Sequence, residues 1–158
     1  MTLPSLPEPT LTLLFRLDAT LGPPLELGEI PPGRARVIAL TGGTCTGPDL
    51  DGTLLPEGSA DHQTVLPDGT ALGDIRYTLR TSGGDLLDVR SESVRHGPAD
   101  VLARLARGEA VEPSEYVFRA ATRIRTSSVA LDHLNRGVFV TVGGRSPSGV
   151  SYATYLVG

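Results

Sequence analysis

Apolar and polar residues alternate with a period of two along much of the chain, which is the pattern of half-buried β-strands. The clearest example is TALGDIRYTLRT (residues 70–81), where Ile75, Tyr77 and Leu79 share one face. Further segments of this kind are LTLLFRLDATL, RVIAL, TLLP, QTVL, LLDVRSESVR, EYVFRAATRIRT, GVFVTVGGR and GVSYATYLV. Together they predict roughly ten strands.

Glycine and proline mark the turns between these segments. Pro67-Asp68-Gly69 predicts a hairpin turn, because proline presets a negative φ and glycine supplies a positive one. SGGD (residues 82–85) and GRSPSG (residues 144–149) are also predicted turns, and GPPLELGEIPPG (residues 22–33) is predicted to be a non-helical loop. TGGTCTGPD (residues 41–49) predicts a β-bulge or a tight strand corner, because it lacks the GK[ST] ending of a phosphate-binding loop.

One segment, GPADVLARLARGE (residues 97–109), predicts a helix. Pro98 suits a first turn, Asp100 suits the positive end of the helix dipole and Gly108 suits a C-cap. The apolar stripe of this helix is narrow, so we expect the helix to cover one side or one end of a sheet. The stripe consists of Val101, Leu102, Leu105 and Ala106.

These elements predict a mainly all-β fold, an antiparallel β-barrel of roughly ten strands with one outer α-helix. A two-sheet sandwich is the alternative, since strand spacing alone does not fix closure. Residues 1–9, MTLPSLPEP, are predicted to be an extended lead-in, and residues 10–158 are predicted to form a single barrel domain.

Composition excludes several classes of function. All 14 positive side chains are arginines, the formal net charge is −4, and there is no lysine for a Schiff base. The arginines are scattered, which disfavours nucleic-acid binding. The single cysteine, Cys45, cannot form an internal disulfide and is expected to pack as a small buried hydrophobe. No apolar run could span a bilayer and no signal peptide opens the chain, so we expect a cytoplasmic protein without a membrane partner.

Signatures of familiar catalytic sites are missing. The sequence contains no GxSxG, no HExxH and no cysteine pair, and its three histidines lie far apart. We therefore expect neither a metal nor a cofactor.

The stretch EGSADHQ (residues 57–63) holds the leading candidates for acid–base chemistry. Asp61 is predicted to be the base or the group that activates a nucleophile, with His96 or His62 as its acid partner. On a strand, Asp61 and His62 would point to opposite faces and could not share an ion. A turn role for Asp61 and a helix-capping role for the segment around His96 are the structural alternatives.

A second candidate segment is SEYVFR (residues 114–119). Tyr116 and Phe118 would share one face of a strand, as core residues or as pocket lining. Tyr116 is predicted to be a hydroxyl donor, and Arg95 or Arg119 is predicted to clamp a carboxylate or an enolate.

The order of these motifs resembles the DUF3237 family, also called UPF0311. The likeness runs from about Leu11 to the C-terminus and includes VIALTGGTCTGPD, PSEYVFR and LNRGVFVTVGGR. It implies a small antiparallel β-barrel with a helix packed outside, and it implies no particular activity, because none is assigned to the family. Tyr77 and Asn135 match the family pattern and join Arg95, Arg119 and Phe118 as candidate substrate-binding residues.

Several positions depart from the family pattern, among them Glu57, which replaces a glycine. His62 and His133 stand where the family has tryptophan, and Ile124-Arg125-Thr126 replaces a segment that carries a glutamate. Burying an imidazole without a partner costs about 1–3 kcal/mol, so these exchanges indicate that both positions line a cavity or face water. His133 is therefore also a candidate substrate-binding residue.

Three functions fit these residues. The first is cofactor-free acid–base chemistry of the lyase, isomerase, cyclase or hydratase type on a small organic molecule. The second is a barrel that binds a small molecule without chemistry, and the third is a scaffold with a filled interior. A homodimer is a further expectation, from the general preference of proteins for two-fold assembly.

Overall fold

The computed structural model describes residues 1–158, and its nine strands form one antiparallel sheet. The strands are β1 (Leu11–Leu21), β2 (Leu25–Ile30), β3 (Gly33–Thr46), β4 (Gly52–Val65), β5 (Ala71–Thr81), β6 (Leu86–His96), β7 (Val117–Arg125), β8 (Phe139–Arg145) and β9 (Gly149–Val157). The single α-helix, α1, spans Ala99–Ala106, and short 3-10 segments lie at Pro113–Glu115 and Asp132–Arg136. Residues 1–10 are exposed and form no strand or helix.

The sheet closes because β3 has two partners on the same side. Residues 33–37 of β3 pair with β2, whereas residues 40–46 pair with β1 at the far end of the strand order. Eight strands therefore form a closed barrel, and β2 is a ninth strand on its rim. The predicted antiparallel barrel with one helix is confirmed, and its closure excludes the sandwich. The strand number is nine where the sequence predicted roughly ten.

The structure changes two local predictions and confirms a third. GPPLELGEIPPG is not all loop, because it contains β2; an edge strand needs only one hydrogen-bonded neighbour and tolerates flanking prolines. TLLP and QTVL belong to one strand, β4, whose register shifts between Leu55 and Ala60. The bulge predicted in TGGTCTGPD is confirmed by a register shift between Ala39 and Gly43.

Helix α1 packs against one end of the barrel, as its narrow apolar stripe predicted. Pro98 precedes the helix and Gly108, with a φ of +75°, follows it. Val101 and Leu102 are its buried residues, and a Cβ added at Gly69 would lie 3.1 Å from the Leu102 Cδ1 atom. The predicted turn at Pro67-Asp68-Gly69 therefore forms the contact between the barrel and the helix. No helix of the protein has the length and apolarity that crossing a membrane requires.

The two ends of the barrel differ in chemistry. We call the end next to α1 the mouth and the other end the base. The base is filled by fully buried apolar side chains and closed by Leu134 of the second 3-10 segment. The largest of these side chains are Phe15, Leu79, Leu87, Ile124 and Phe139. Buried charged residues, in contrast, are confined to the mouth half.

A chain of four buried hydroxyl groups crosses the interior between these halves. Ser91 Oγ lies 2.7 Å from Thr122 Oγ1, which lies 2.7 Å from Thr141 Oγ1, which lies 2.8 Å from Thr154 Oγ1. The four residues come from β6, β7, β8 and β9 in order, so the chain ties neighbouring strands together. Each hydroxyl forms at least one hydrogen bond to a neighbouring hydroxyl, and these bonds offset the cost of burying polar groups.

We expect Thr122→Val to lower the free energy of unfolding by about 1–3 kcal/mol, because it leaves buried hydroxyls at Ser91 and Thr141 short of a partner. Urea denaturation measures this change. Thr53→Val, at an exposed position of β4, is the matched control and should change stability by no more than about 0.5 kcal/mol. Equal stabilities of the two variants would contradict a stabilising role for the chain of buried hydroxyl groups.

Candidate functional site

The mouth opens into a cleft of about 960 Å³. The start of β3, the hairpin between β4 and β5, and helix α1 form its walls. One part of the lining is apolar and consists of Ile38, Val65, Leu66, Leu102 and Leu105. Four arginines also line it: Arg34, which is exposed and pairs with Glu26 at 4.0 Å, and the less exposed Arg36, Arg95 and Arg145. A cleft with an apolar wall and a few convergent polar groups is typical of small-molecule sites.

Asp61 lies in a second, much smaller cavity of about 10 Å³. Ile38 and Arg145 line both this cavity and the cleft, so these two side chains form the boundary between them. The remaining lining residues of the small cavity are Leu21, Gln63, Phe118, Val150 and Tyr152. Asp61 is therefore one side-chain layer away from the cleft.

The carboxyl group of Asp61 is held on one oxygen and free on the other. Gln63 Nε2 donates a hydrogen bond of 2.7 Å to Asp61 Oδ2, and Arg36 Nε donates one of 2.9 Å to Gln63 Oε1. Asp61 Oδ1 is buried and has no hydrogen-bond partner. The chain Arg36–Gln63–Asp61 thus connects the cleft to the carboxyl and fixes which oxygen is unused.

Gly73 makes room for this carboxyl. A Cβ added at Gly73 would lie 2.9 Å from Asp61 Oδ1 and 2.3 Å from Ser93 Oγ, both closer than such contacts occur. Gly73 stands next to Asp61 because β4 and β5 pair through Gln63 and Gly73. The missing side chain therefore preserves the space beside the unpartnered oxygen.

Three of the four cleft arginines have no carboxylate partner. None of Arg36, Arg95 and Arg145 lies within 4.0 Å of an acidic oxygen, although seven other arginines do. Nε of Arg95 and Nε of Arg145 are buried without any hydrogen bond, and Arg95 is only 9% exposed. Burial, with repulsion from Arg145 and Arg36, lowers the pKa of Arg95 to about 10. Arg95 is still a cation at neutral pH.

Burial also raises the pKa of Asp61 above that of an ordinary aspartate, because the interior disfavours the charged carboxylate. The hydrogen bond from Gln63 and the charges of the three arginines act in the opposite direction but do not outweigh burial. Asp61 consequently keeps its proton to a higher pH than a solvated aspartate does. Such a group can donate a proton and later take it back.

Several of the residues predicted from the sequence meet at the mouth. Asp61 and Arg95 face inward there, and Phe118 lies opposite Arg95 in the β6–β7 register while also lining the cavity of Asp61. The Tyr116 hydroxyl accepts a hydrogen bond of 2.7 Å from the backbone N–H of Arg145. Tyr116 thus holds the end of β8 that carries a cleft arginine.

The structure does not bring the three histidines to Asp61. His62 is exposed on the outer face of β4, since neighbouring residues of a strand point to opposite sides. His96 is exposed at the end of β6, and His133 is exposed in the second 3-10 segment. An acid partner for Asp61 at His62 or His96 therefore has no geometric support.

Three other predicted residues lie away from the cleft. Arg119 is exposed and donates to the carbonyl oxygen of Phe118. Asn135 lies near the base, where its amide bonds the backbone of Thr126 in both directions at 2.9 Å. Tyr77 is buried in the interior and stacks on Tyr152, with ring centroids 6.2 Å apart. Asn135 and Arg119 therefore serve local structure.

Sequence reasoning missed Arg36, Gln63 and Arg145. Gln63 could have been found, because it is two residues after Asp61 on the same strand and so shares its face. Arg36 is opposite Gln63 in the β3–β4 register, which strand patterns alone do not fix. Arg145 ends β8 at a hairpin whose sequence predicted only a turn.

The raised pKa of Asp61 predicts a pH-dependent stability difference between wild type and Asp61→Asn. The folded protein binds the Asp61 proton more tightly than the unfolded chain, so wild type loses stability as pH rises from the unfolded pKa through the folded one. The amide of the variant does not titrate and has no such dependence. We expect the free energy of unfolding of the variant, relative to that of wild type, to be lowest at about pH 3 and to rise as pH rises above about 4. Thermal or urea unfolding from about pH 3 to neutral pH measures this relative stability. A variant whose stability relative to wild type falls as pH rises would contradict the raised pKa.

Comparison with known proteins places this architecture in a family. Residues 9–157 match the family model described as protein of unknown function DUF3237. A UPF0311 protein of Rhodopseudomonas palustris is 32% identical over 132 residues, which cover 84% of this chain and 86% of the relative. One of Bradyrhizobium diazoefficiens is 33% identical over the same shares of the two chains.

Solved structures agree with the fold. A crystal structure of a conserved Rhodopseudomonas palustris protein of unknown function superposes with a TM-score of 0.92 and 29% identity, covering 97% of this chain and 100% of that one. A β-barrel-like protein of Acinetobacter baumannii superposes with a TM-score of 0.85 and 35% identity, covering 98% and 99%.

One relative carries an activity in its name. The hydroalkoxylation enzyme phnH of Penicillium herquei is 34% identical over 76 residues, which cover 48% of this chain and 50% of that protein. The extent of the DUF3237 match and the level of identity to the UPF0311 proteins show that this chain belongs to the DUF3237 (UPF0311) family.

Proposed function

We propose that the protein is an enzyme that adds the O–H bond of a substrate hydroxyl across a carbon–carbon double bond of a small organic molecule, which forms an ether. Asp61 is the proton donor and acceptor. The observation that carries the proposal is the buried Asp61 carboxyl, which has one oxygen fixed by Gln63 and the other unpartnered. The partial similarity to a hydroalkoxylation enzyme supports the reaction class.

The hydrogen-bond directions indicate where the proton is held. Arg36 Nε is a donor, so the Gln63 atom that it contacts is the carbonyl oxygen, and the Gln63 amide nitrogen faces Asp61. That nitrogen donates to Asp61 Oδ2, which therefore acts as an acceptor. The carboxyl proton is left on Oδ1, the atom without a partner. Arg36 and Gln63 thus orient the acid.

The reaction balances without an external reductant or oxidant. The Oδ1–H bond of neutral Asp61 breaks, and its proton forms a C–H bond at one alkene carbon. The hydroxyl oxygen of the substrate forms a C–O bond at the other carbon, which carries the positive charge, and its proton returns to the Asp61 carboxylate. The product of an intramolecular addition is an isomer of the substrate, and the enzyme ends in its starting state.

Access to Asp61 requires a side-chain movement. The cavity of about 10 Å³ beside Asp61 is about the size of one water molecule. An alkene in the cleft reaches the carboxyl only when Ile38 or Arg145 moves aside, because these residues form the boundary. This separation also favours a second candidate, a barrel that binds a small molecule in the cleft and carries out no chemistry.

Asp61→Asn should abolish the addition, because an amide cannot supply the proton. The test incubates wild type and variant in D2O with 2-allylphenol and 2-prenylphenol and follows product by mass spectrometry. We expect wild type to form a cyclic ether with one carbon-bound deuterium, and Asp61→Asn to lose about 10²–10⁴-fold in rate. Asp49→Asn, which changes an exposed aspartate outside the mouth, should keep the wild-type rate.

Two outcomes would count against the enzyme. Turnover by Asp61→Asn at the wild-type rate would remove Asp61 from the chemistry. Binding of both phenols by wild type without any conversion would favour the binding barrel.

A further inference from the structure

Three cationic side chains line one cleft and form no ion pair. Arg36, Arg95 and Arg145 come from β3, β6 and β8 and line the same cleft. Arg95 is nine-tenths buried, and its Nε has no hydrogen-bond partner; the buried Nε of Arg145 also has none. A buried charged donor left unsatisfied is costly, so these groups are expected to meet a partner that is not part of the chain.

The other arginines of the chain show what is unusual here. Those that form ion pairs, such as Arg90 with Asp74 at 3.2 Å, do so on the surface. Those that form none, such as Arg76 and Arg123, are exposed and therefore solvated by water. Only Arg36, Arg95 and Arg145 are both withdrawn from solvent and without a carboxylate.

Nearby acids do not neutralise the three cations. Asp61 forms no ion pair with any arginine, because its one side-chain hydrogen-bond partner is Gln63. Glu29 and Asp68 also line the cleft, but both are exposed at the rim, and Asp68 Oδ1 accepts a hydrogen bond from the backbone N–H of Thr70. The inner part of the cleft therefore carries an excess of positive charge.

We propose that Arg36, Arg95 and Arg145 bind an anionic group of the substrate, a carboxylate or an acidic phenol that is separate from the hydroxyl adding to the alkene, on a small organic molecule that is otherwise mainly apolar. Guanidinium groups donate charge-assisted hydrogen bonds to such oxygens. The apolar part of the lining, which includes Ile38, Val65 and Leu102, fits a hydrocarbon body and disfavours a polyphosphate. This inference rests on the proposed function, because it names the substrate class of the same site.

Binding of the anion would also act on the acid. The charges of Arg95, Arg36 and Arg145 lower the pKa of Asp61, so an anion that neutralises them strengthens the hold of Asp61 on its proton. The substrate thereby favours the protonated form that the addition needs. Arg95 has the largest of these effects on Asp61, and Arg145 is the arginine that lines both the cleft and the cavity of Asp61.

The test compares two probes that differ only in charge at the polar group, 1-naphthoate and 1-naphthamide, by isothermal titration calorimetry at neutral pH and low salt. We expect wild type to bind the naphthoate at least about tenfold more tightly than the amide. Arg95→Gln and Arg145→Gln should each lose about tenfold or more in naphthoate affinity and most of the preference for charge. Arg123→Gln, which changes an exposed and unpaired arginine of β7, should bind as wild type does. Added salt should weaken naphthoate binding selectively.

Equal affinity of wild type for the two probes would overturn the proposal, and that comparison requires no variant to fold. Unchanged naphthoate affinity in both Arg95→Gln and Arg145→Gln would overturn it as well. Failure of the enzyme proposal is recognised separately. Asp61→Asn should still bind 1-naphthoate. Charge-selective binding without conversion of any phenol would support the anion site and contradict only the proposed addition reaction.

Discussion

The pairing of β1 with the second half of β3 is the constraint on which the rest of the structure depends. It closes eight strands into a barrel and leaves the first half of β3 to pair with β2 on the rim. Gly43 permits this close approach, because a Cβ there would lie 2.6 Å from the Asp18 carbonyl oxygen. The diverging half of β3 carries Arg36 and Ile38, which line the cleft. Closure of the barrel and opening of the cleft are thus two results of one strand having two partners.

Two sets of buried polar groups in the barrel differ in whether their hydrogen bonds are complete. The hydroxyl chain from Ser91 to Thr154 is self-satisfied and joins strands. The groups at the mouth are left incomplete: Asp61 has a free oxygen, and two arginines have free Nε atoms. A stable interior normally pairs such groups, so three unpaired atoms gathered at one end of the barrel indicate a place for a ligand; the only other unpaired buried side-chain atom is the Tyr77 hydroxyl oxygen. Burial makes both the acid and the cations sensitive to what binds there.

The sequence predicted the barrel well, because alternation, turn residues and the capped helix are local signals that agree with one another. It identified Asp61, Arg95 and Phe118, whose inward direction follows from strand period. It could not place Arg36 and Arg145, since their meeting depends on register between distant strands. The sequence-based prediction overvalued the histidines, because closeness to Asp61 along the chain is not closeness in space: one residue along a strand reverses the face.

Asp61 is a buried carboxyl with a raised pKa beside a cationic cleft. The most direct measurement is a pH titration of the side-chain carboxyl ¹³C chemical shift of Asp61 by NMR, assigned by comparison with Asp61→Asn and repeated with 1-naphthoate bound. We expect the Asp61 carboxyl to titrate with a midpoint above the value of about 3.9 that is normal for aspartate, and the midpoint to rise further when the anion is bound. A midpoint at or below the normal value, unmoved by the anion, would contradict it.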